Sequence, residues 1–379
     1  MGDHLPTVRA AVVQAAPVFL DREETTRKAC SLIREAGRKG AKIVVFPEGF
    51  IPCHPVWYHF LPASQARAVA LSTELFRNSV VVGGPVTQLL GQAAKDGGCW
   101  VVMGVCEKLA GTTGTMWNSI VYLSPDGEVM RVHRKLVPTT AERLVHTGGM
   151  GSDLEAVATP FGPVTGLLCG ENSNPLLVFS ALAQSSVIHA AMWPHHFSRK
   201  EGPALSMPDV ILNNARSLAY QMGSYVLSAG GLLDDSVRER IAVTDDDLSW
   251  LAERRDFGGS CIVAPNGMVC AGPLRHEEEI LVADLDLERV LPKKLMHDYS
   301  GHYTRADIFH VKIANDPAPL LQAPWLIGSA DKISDESEPL HSAAAATDFP
   351  ALPDFGANCV SPASLVLEEQ VAWEKHTSS

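Results

Sequence analysis

A thiol, a carboxylate and an ammonium stand at the ends of three strand-like segments in this chain of 379 residues. The thiol is Cys169, in Leu167-Leu168-Cys169-Gly170-Glu171-Asn172-Ser173-Asn174-Pro175. The carboxylate is Glu48, in Phe46-Pro47-Glu48-Gly49-Phe50, and the ammonium is Lys135, in His133-Arg134-Lys135-Leu136-Val137-Pro138-Thr139. A thiol attacks as the thiolate, so it needs a base to take its proton. A carboxylate serves when burial raises its pKa towards neutrality. A cation then stabilises the negative charge that develops on the attacked group. Taken singly, each has an ordinary structural reading. Cys169 fits a buried core cysteine, Glu48 a capping or ion-paired carboxylate, and Lys135 a surface basic run. Their shared setting at strand ends favours the chemical reading, because that is where layered α/β folds expose reactive groups.

The flanking residues must build those strand ends. Val164 to Leu168 reads as a strand running into Cys169. Asn174 is a good N-cap and Pro175 fits the first helical position, so a helix follows, with Leu176, Phe179, Leu182 and Ala183 at helical spacing. Near the start, Val8 to Ala16 reads as a strand and Asp21 caps a helix from Arg22 to Gly37. Ile43 to Phe46 is a second strand, which makes a β-α-β opening. Helices are expected at Ser64 to Arg77, Val86 to Lys95 and Ala215 to Met222. Further strands are expected at Trp100 to Glu107, Trp117 to Leu123, Val129 to Lys135, Val187 to Trp193, Tyr225 to Ala229, Ser260 to Ala264 and Ile280 to Asp284. The fold class is therefore α/β.

Composition removes several functions. The formal net charge of -12 does not suit nucleic acid or an anionic membrane. No apolar run approaches the roughly 20 residues of a membrane span, and Met1 to Pro6 lacks a basic-then-apolar leader. Eight cysteines are scattered without a CxxC pair, which speaks against a disulfide framework or a structural zinc site. The expectation is a reduced, cytoplasmic protein. His195 and His196 have no acidic or cysteine partner at ligand spacing and are read as loop residues, so no metal is expected. Leu232 to Phe257 is highly charged and reads as a solvated surface insertion, with a subunit contact as the alternative. Asp316 to Pro353 is rich in Ala, Pro, Ser and acidic residues. The expected division is residues 1–311 as one catalytic domain and 312–379 as a tail, partly disordered or involved in assembly.

The segments FPEGFIP, HRKLVPTTAER and LLCGENSNPL resemble the glutamate, lysine and cysteine motifs of the carbon-nitrogen hydrolase (nitrilase) superfamily, in its nitrilase branch. VIHAAMWP and DYSGHYTRAD are further matches, and together they span about residues 8 to 311. The resemblance implies an α-β-β-α sandwich, paired across subunits into a longer layered assembly. It implies Cys169 as nucleophile, Glu48 as general base and Lys135 as the charge-stabilising group. Glu142 matches a second glutamate that orients the site; an ion pair with a nearby base is its other reading. The backbone N–H of Gly170 is a second candidate donor to the developing charge. Trp57, Tyr58, His189 and Trp193 are candidates for the substrate pocket, with ordinary core packing the competing reading for Trp57.

The implied reaction is hydrolysis of an organic nitrile to the carboxylic acid and ammonia through a thioimidate and a thioester, with no cofactor. An amidase or a cyanide hydratase would use the same three residues, and a non-catalytic assembly member of the fold is a further alternative. The resemblance also implies a homodimer that extends to a larger oligomer or spiral. One position departs from the pattern: nitrilases commonly carry Trp directly after the nucleophile, where this chain has Gly170. A missing indole leaves space beside the thiol for bulkier substrates.

Overall fold

The computed structural model describes residues 4–195, 207–253 and 258–314. The first part runs β1 (Thr7–Gln14), α1 (Arg22–Arg38), β2 (Ile43–Val45), α2 (Ala66–Asn78), α3 (Pro85–Gly97), β3 (Trp100–Lys108), β4 (Met116–Leu123) and β5 (Val129–Arg134). There follow β6 (Val157–Thr159), β7 (Gly162–Leu168), α4 (Pro175–Leu182), β8 (Ile188–Met192), α5 (Met207–Met222) and β9 (Tyr225–Ala229). The remainder is α6 (Ser236–Ile241), α7 (Asp245–Glu253), β10 (Cys261–Val263), β11 (Val269–Ala271), β12 (Glu279–Asp286) and α8 (Val290–Met296).

The strands form two six-stranded sheets, ordered β12-β1-β2-β3-β4-β5 and β11-β10-β9-β8-β7-β6. In each, a parallel centre is flanked by antiparallel pairs: β1-β2-β3 are parallel in the first sheet and β7-β8-β9 in the second. The sheets pack face to face. Val8, Ala10 and Val12 of β1 share one buried cluster with Val164, Ile188 and Leu227 of the second sheet. The opposite face of β1 carries Ala11 and Val13, which pack with Ala29, Ile33 and Ala36 of α1 and Leu90 and Ala94 of α3. On the far side, α4 and α5 bury Val178, Ala181, Ala215 and Leu218 against Leu167, Ala191 and Val226. The layers are thus α-β-β-α, as expected. The central strands are buried on both faces, which is why they read as near-continuous apolar runs rather than alternating ones.

Local signals explain the main helix. The Asp21 side chain accepts from the Glu24 N–H at 2.9 Å and starts α1 where the sequence placed it. The helix expected at 215–222 begins earlier, at Met207.

The charged stretch 232–257 departs from the expectation of a purely solvated insertion. Within it α6 and α7 place Val237, Ile241 and Leu251 in a buried cluster with Phe19, Trp57, Leu71 and Leu75. The charges dominate the composition, but apolar residues four apart on α6 still make one buried face. Residues 254–257, His196 and the tail from residue 315 lie outside the described residues. No helix among the described residues is long and apolar enough to cross a membrane.

Candidate active site

Glu48, Lys135 and Cys169 each follow a strand directly or within three residues, and the sandwich brings the three together from both sheets. Glu48 lies beyond β2, Lys135 immediately after β5 and Cys169 immediately after β7. The Glu48 loop rests on β3: a Cβ built at Gly104 would lie 2.1 Å from the Pro47 carbonyl oxygen, so only glycine permits that approach. The Glu48 N–H donates to the Trp193 carbonyl at 3.2 Å, which links the loop to the end of β8 in the other sheet. Lys135 is fixed by its N–H donating to the Asn118 carbonyl on β4 at 2.8 Å. Cys169 has φ +47°, a left-handed conformation that is strained for a residue with a side chain.

The charges form one buried cluster. Lys135 Nζ donates to Glu48 Oε1 at 2.8 Å and to Glu142 Oε2 at 2.7 Å. Asn118 Nδ2 donates to Glu48 Oε1 at 2.6 Å and to Glu142 Oε1 at 2.7 Å. Glu142 also accepts from the Thr139 N–H at 2.8 Å and lies 3.2 Å from His146 Nδ1. It therefore both pairs with a base and belongs to the site. All four central side chains are buried: Glu48, Asn118, Lys135 and Glu142.

The electrostatics follow from burial and neighbours. Burial pushes Glu48 up to about 7; Lys135 opposes this and the Glu142 charge adds to it. Burial works against the Lys135 charge, yet Glu48 and Glu142 outweigh it and hold the ammonium above the ordinary lysine range. Burial also favours a neutral Glu142, but the His146 hydrogen bond and the Lys135 charge keep its carboxyl well below the usual range. Cys169 is pushed up to about 12, by burial first and by the Glu48 charge second, with Lys135 opposing. At neutral pH Cys169 is thus a thiol, near a carboxyl group whose pKa lies close to neutrality.

Cys169, Lys135 and Glu142 line one cavity with His54, Tyr58 and Thr139. Tyr58 is held there by a 2.6 Å hydrogen bond between its Oη and Ser72 Oγ on α2. The other three pocket candidates are not among the residues that line this cavity. Trp57 is fully buried, with its ring edge-on to Phe19 at 6.3 Å. Trp193 packs against Cys169 and Ile211 and donates from Nε1 to Ser228 Oγ at 3.1 Å. His189 is buried under the Cys169 turn, 2.9 Å from Thr165 Oγ1 and 3.0 Å from Asn172 Oδ1. Burial, with the nearby His133, lowers its pKa to about 3 and keeps it neutral. Gly170 is exposed, and a Cβ there would meet only Thr139 Oγ1, at 3.4 Å.

Glu48, His54 and Glu142 offer ligand atoms within 4.8 Å of one another, as a metal site would. The Lys135 ammonium already sits against both carboxylates. A dication would have to displace a fixed positive charge, so these residues fit a metal poorly.

Sequence reasoning missed Asn118, His54 and His146. It also missed the support beneath Cys169. Glu171 accepts from the Leu168 N–H at 3.0 Å and the Leu136 N–H at 2.8 Å, and lies 2.8 Å from His133 Nε2. His133 Nδ1 faces the Asp153 carbonyl at 3.1 Å. Both His133 neighbours are oxygens, an arrangement that favours a protonated ring beside an ionised carboxylate. Burial opposes both charges, yet the contact raises His133 and lowers Glu171. A histidine ending a strand and an acid two residues after the cysteine were the available signals.

The family description "Carbon-nitrogen hydrolase" matches residues 9–294 of this chain. The chain is 36% identical over 317 residues to an aliphatic nitrilase of Sinorhizobium fredii (strain HH103), covering 82% of this chain and 96% of that protein. It is 34% identical over 310 residues to an arylacetonitrilase of Aspergillus niger (strain ATCC MYA-4892 / CBS 513.88 / FGSC A1513), covering 80% and 91%. Among solved structures, a carbon-nitrogen hydrolase from Helicobacter pylori G27 superposes with TM-score 0.61 at 20% identity, covering 78% of this chain and 94% of that one.

Proposed function

This chain belongs to the carbon-nitrogen hydrolase family and is a hydrolase acting on carbon–nitrogen bonds, and on that footing we propose that it is a nitrilase. One observation carries the reading. Lys135 and Asn118 hold Glu48 Oε1, while Oε2, buried, has no hydrogen-bond partner among the described residues. The carboxylate is oriented by one oxygen and keeps the other for a proton. Relatives at 34% and 36% identity, an arylacetonitrilase and an aliphatic nitrilase, support nitriles as the substrate class.

In the proposed reaction Glu48 takes the Cys169 proton as sulfur attacks the carbon of R–C≡N. The proton passes to nitrogen, giving the thioimidate R–C(=NH)–S–Cys169. Lys135 and the Gly170 N–H stabilise charge that develops during attack. Water adds, its proton taken by Glu48, and ammonia leaves to give the thioester. A second water releases R–COOH and restores the thiol. The sum is R–CN plus two waters to acid plus ammonia. Loss of the thiolate from the first tetrahedral adduct gives the amide instead, so some amide by-product is expected. A Glu48 pKa of about 7 suits a group that must both accept and return a proton.

Assembly into a homodimer and larger oligomers is part of the proposal. Leu295, Met296 and Phe309 support it by exposing large apolar side chains near the end of the described chain.

The test is to incubate the protein and its Cys169→Ala variant with an aliphatic nitrile, an arylacetonitrile and the matching amides, following ammonia and both organic products. Acid from nitrile, lost in the variant, is the expected result. Acid from the amide alone would replace the reading with an amidase. Formamide from cyanide, with no acid from any nitrile, would replace it with a cyanide hydratase.

A further inference from the structure

Lys135 and Cys169 belong to different sheets, β5 ending at one and β7 at the other. Sheets packed face to face are held by apolar contact, which is non-directional and does not by itself fix two strand ends to a fraction of an ångström. Hydrogen bonds are directional and do. Glu171 supplies them across this gap. One oxygen, Oε1, accepts from the N–H of Leu136, the residue after Lys135, at 2.8 Å. The other, Oε2, accepts from the N–H of Leu168, the residue before Cys169, at 3.0 Å. Oε2 also meets His133 Nε2 on β5 at 2.8 Å. The carboxylate is buried, so no solvent competes for these bonds. The strained φ of Cys169 lies between Leu168 and Glu171 and persists only where surrounding contacts over-determine it.

We infer that Glu171 is a positioning residue: its carboxylate straps the Lys135 and Cys169 strand ends together and so sets the thiol against the Glu48–Lys135 cluster. The inference rests on the reading of Cys169 as nucleophile and Glu48 as its base. Glutamine cannot replace the strap, because the Leu136 and Leu168 N–H groups donate to different oxygens and an amide has one acceptor oxygen. Its NH₂ group must face either Leu136 or the Leu168–His133 pair, and that tie is lost.

The experiment is a double-mutant cycle read by alkylation of Cys169 with iodoacetamide, followed by mass spectrometry of the Cys169 peptide. It needs no knowledge of the substrate. Rates are compared for the parent, Glu48→Gln, Glu171→Gln and the double variant. In the parent, Glu48→Gln is expected to slow alkylation by about tenfold or more. In the Glu171→Gln background the same change is expected to cost less than about threefold, because the base no longer faces the thiol. A merely structural role lowers the unfolding temperature but leaves the two factors equal, and equal factors overturn the inference while leaving Glu48 as base. No slowing by Glu48→Gln in the parent overturns the base reading, and the strap falls with it. If Glu171→Gln yields no folded protein, Glu171→Asp, a carboxylate one methylene short, carries the same comparison with the same thresholds.

Discussion

Asn118 donates to Glu48 Oε1 at 2.6 Å through the nitrogen that also donates to Glu142 Oε1 at 2.7 Å. One neutral amide thereby ties the proposed base to its neighbouring carboxylate, and it does so on the oxygen that Lys135 also holds.

Removing that amide changes rate and pH dependence together. A hydrogen bond to the charged form lowers a carboxyl pKa, so Asn118→Leu raises that of Glu48 above its present value of about 7. The base acts when ionised, so activity falls as pH drops through this pKa. The acid limb of kcat/KM against pH should therefore move upwards, with the plateau rate lower by about tenfold or more, the worth of a bond to a charged group. An unmoved limb would refute the assignment of Glu48 to it.

Lys135→Met leaves Glu48 and Glu142 buried without their shared cation. Breaking a buried pair costs about 3–5 kcal/mol, and activity should be lost with it. Lys135 lowers the Glu48 pKa, so in the variant it rises above about 7 and the carboxyl takes up a proton more readily as pH falls, which relieves the repulsion. The stability deficit measured by urea unfolding should thus be larger at about pH 8 than at about pH 5.5. Adding Glu142→Gln should recover stability but not activity.

Gly170 has no conformational need to be glycine, since its φ is not left-handed and a Cβ meets only Thr139 Oγ1 at 3.4 Å. Thr139 lines the cavity beside Cys169. Gly170→Trp should retain activity on small aliphatic nitriles and lose about tenfold or more on arylacetonitriles, a difference of the size that bulk in a pocket produces. An unchanged size preference across a graded nitrile panel would show that position 170 does not set the space.

Phe309 is 71% exposed and Leu295 74%. Phe309→Asp together with Leu295→Asp should lower the particle mass seen by light scattering without lowering the unfolding temperature. An unchanged mass would place subunit contacts elsewhere.

Much of this site was legible because its signals are local. Asn174 accepts from the Leu176 N–H at 3.0 Å and Pro175 opens α4, as capping rules require. Three strand-end segments carrying Glu48, Lys135 and Cys169 needed no partner to be seen. Asn118 was hidden because nothing in the buried strand MWNSIVYL marks which residue meets two distant glutamates. The surroundings of His189 were hidden because they are set by register, Thr165 opposite His189 across β7 and β8, rather than by sequence. Trp57 beside the glutamate loop fitted a pocket wall as well as a core, and only the packing of α6 and α7 over it decides.

The pairing of β12 with β1 sets when the first sheet is completed during synthesis. Thr7 to Gln14 pair antiparallel with Asp286 to Glu279, so the first sheet gains its outer strand only from near the end of the described region. A nascent chain on the ribosome carries Glu48, Lys135 and Cys169 outside the exit tunnel well before that strand emerges. Cys169 is therefore translated well before the first sheet is complete, and a truncated product ending before residue 279 should lack that sheet's outer strand.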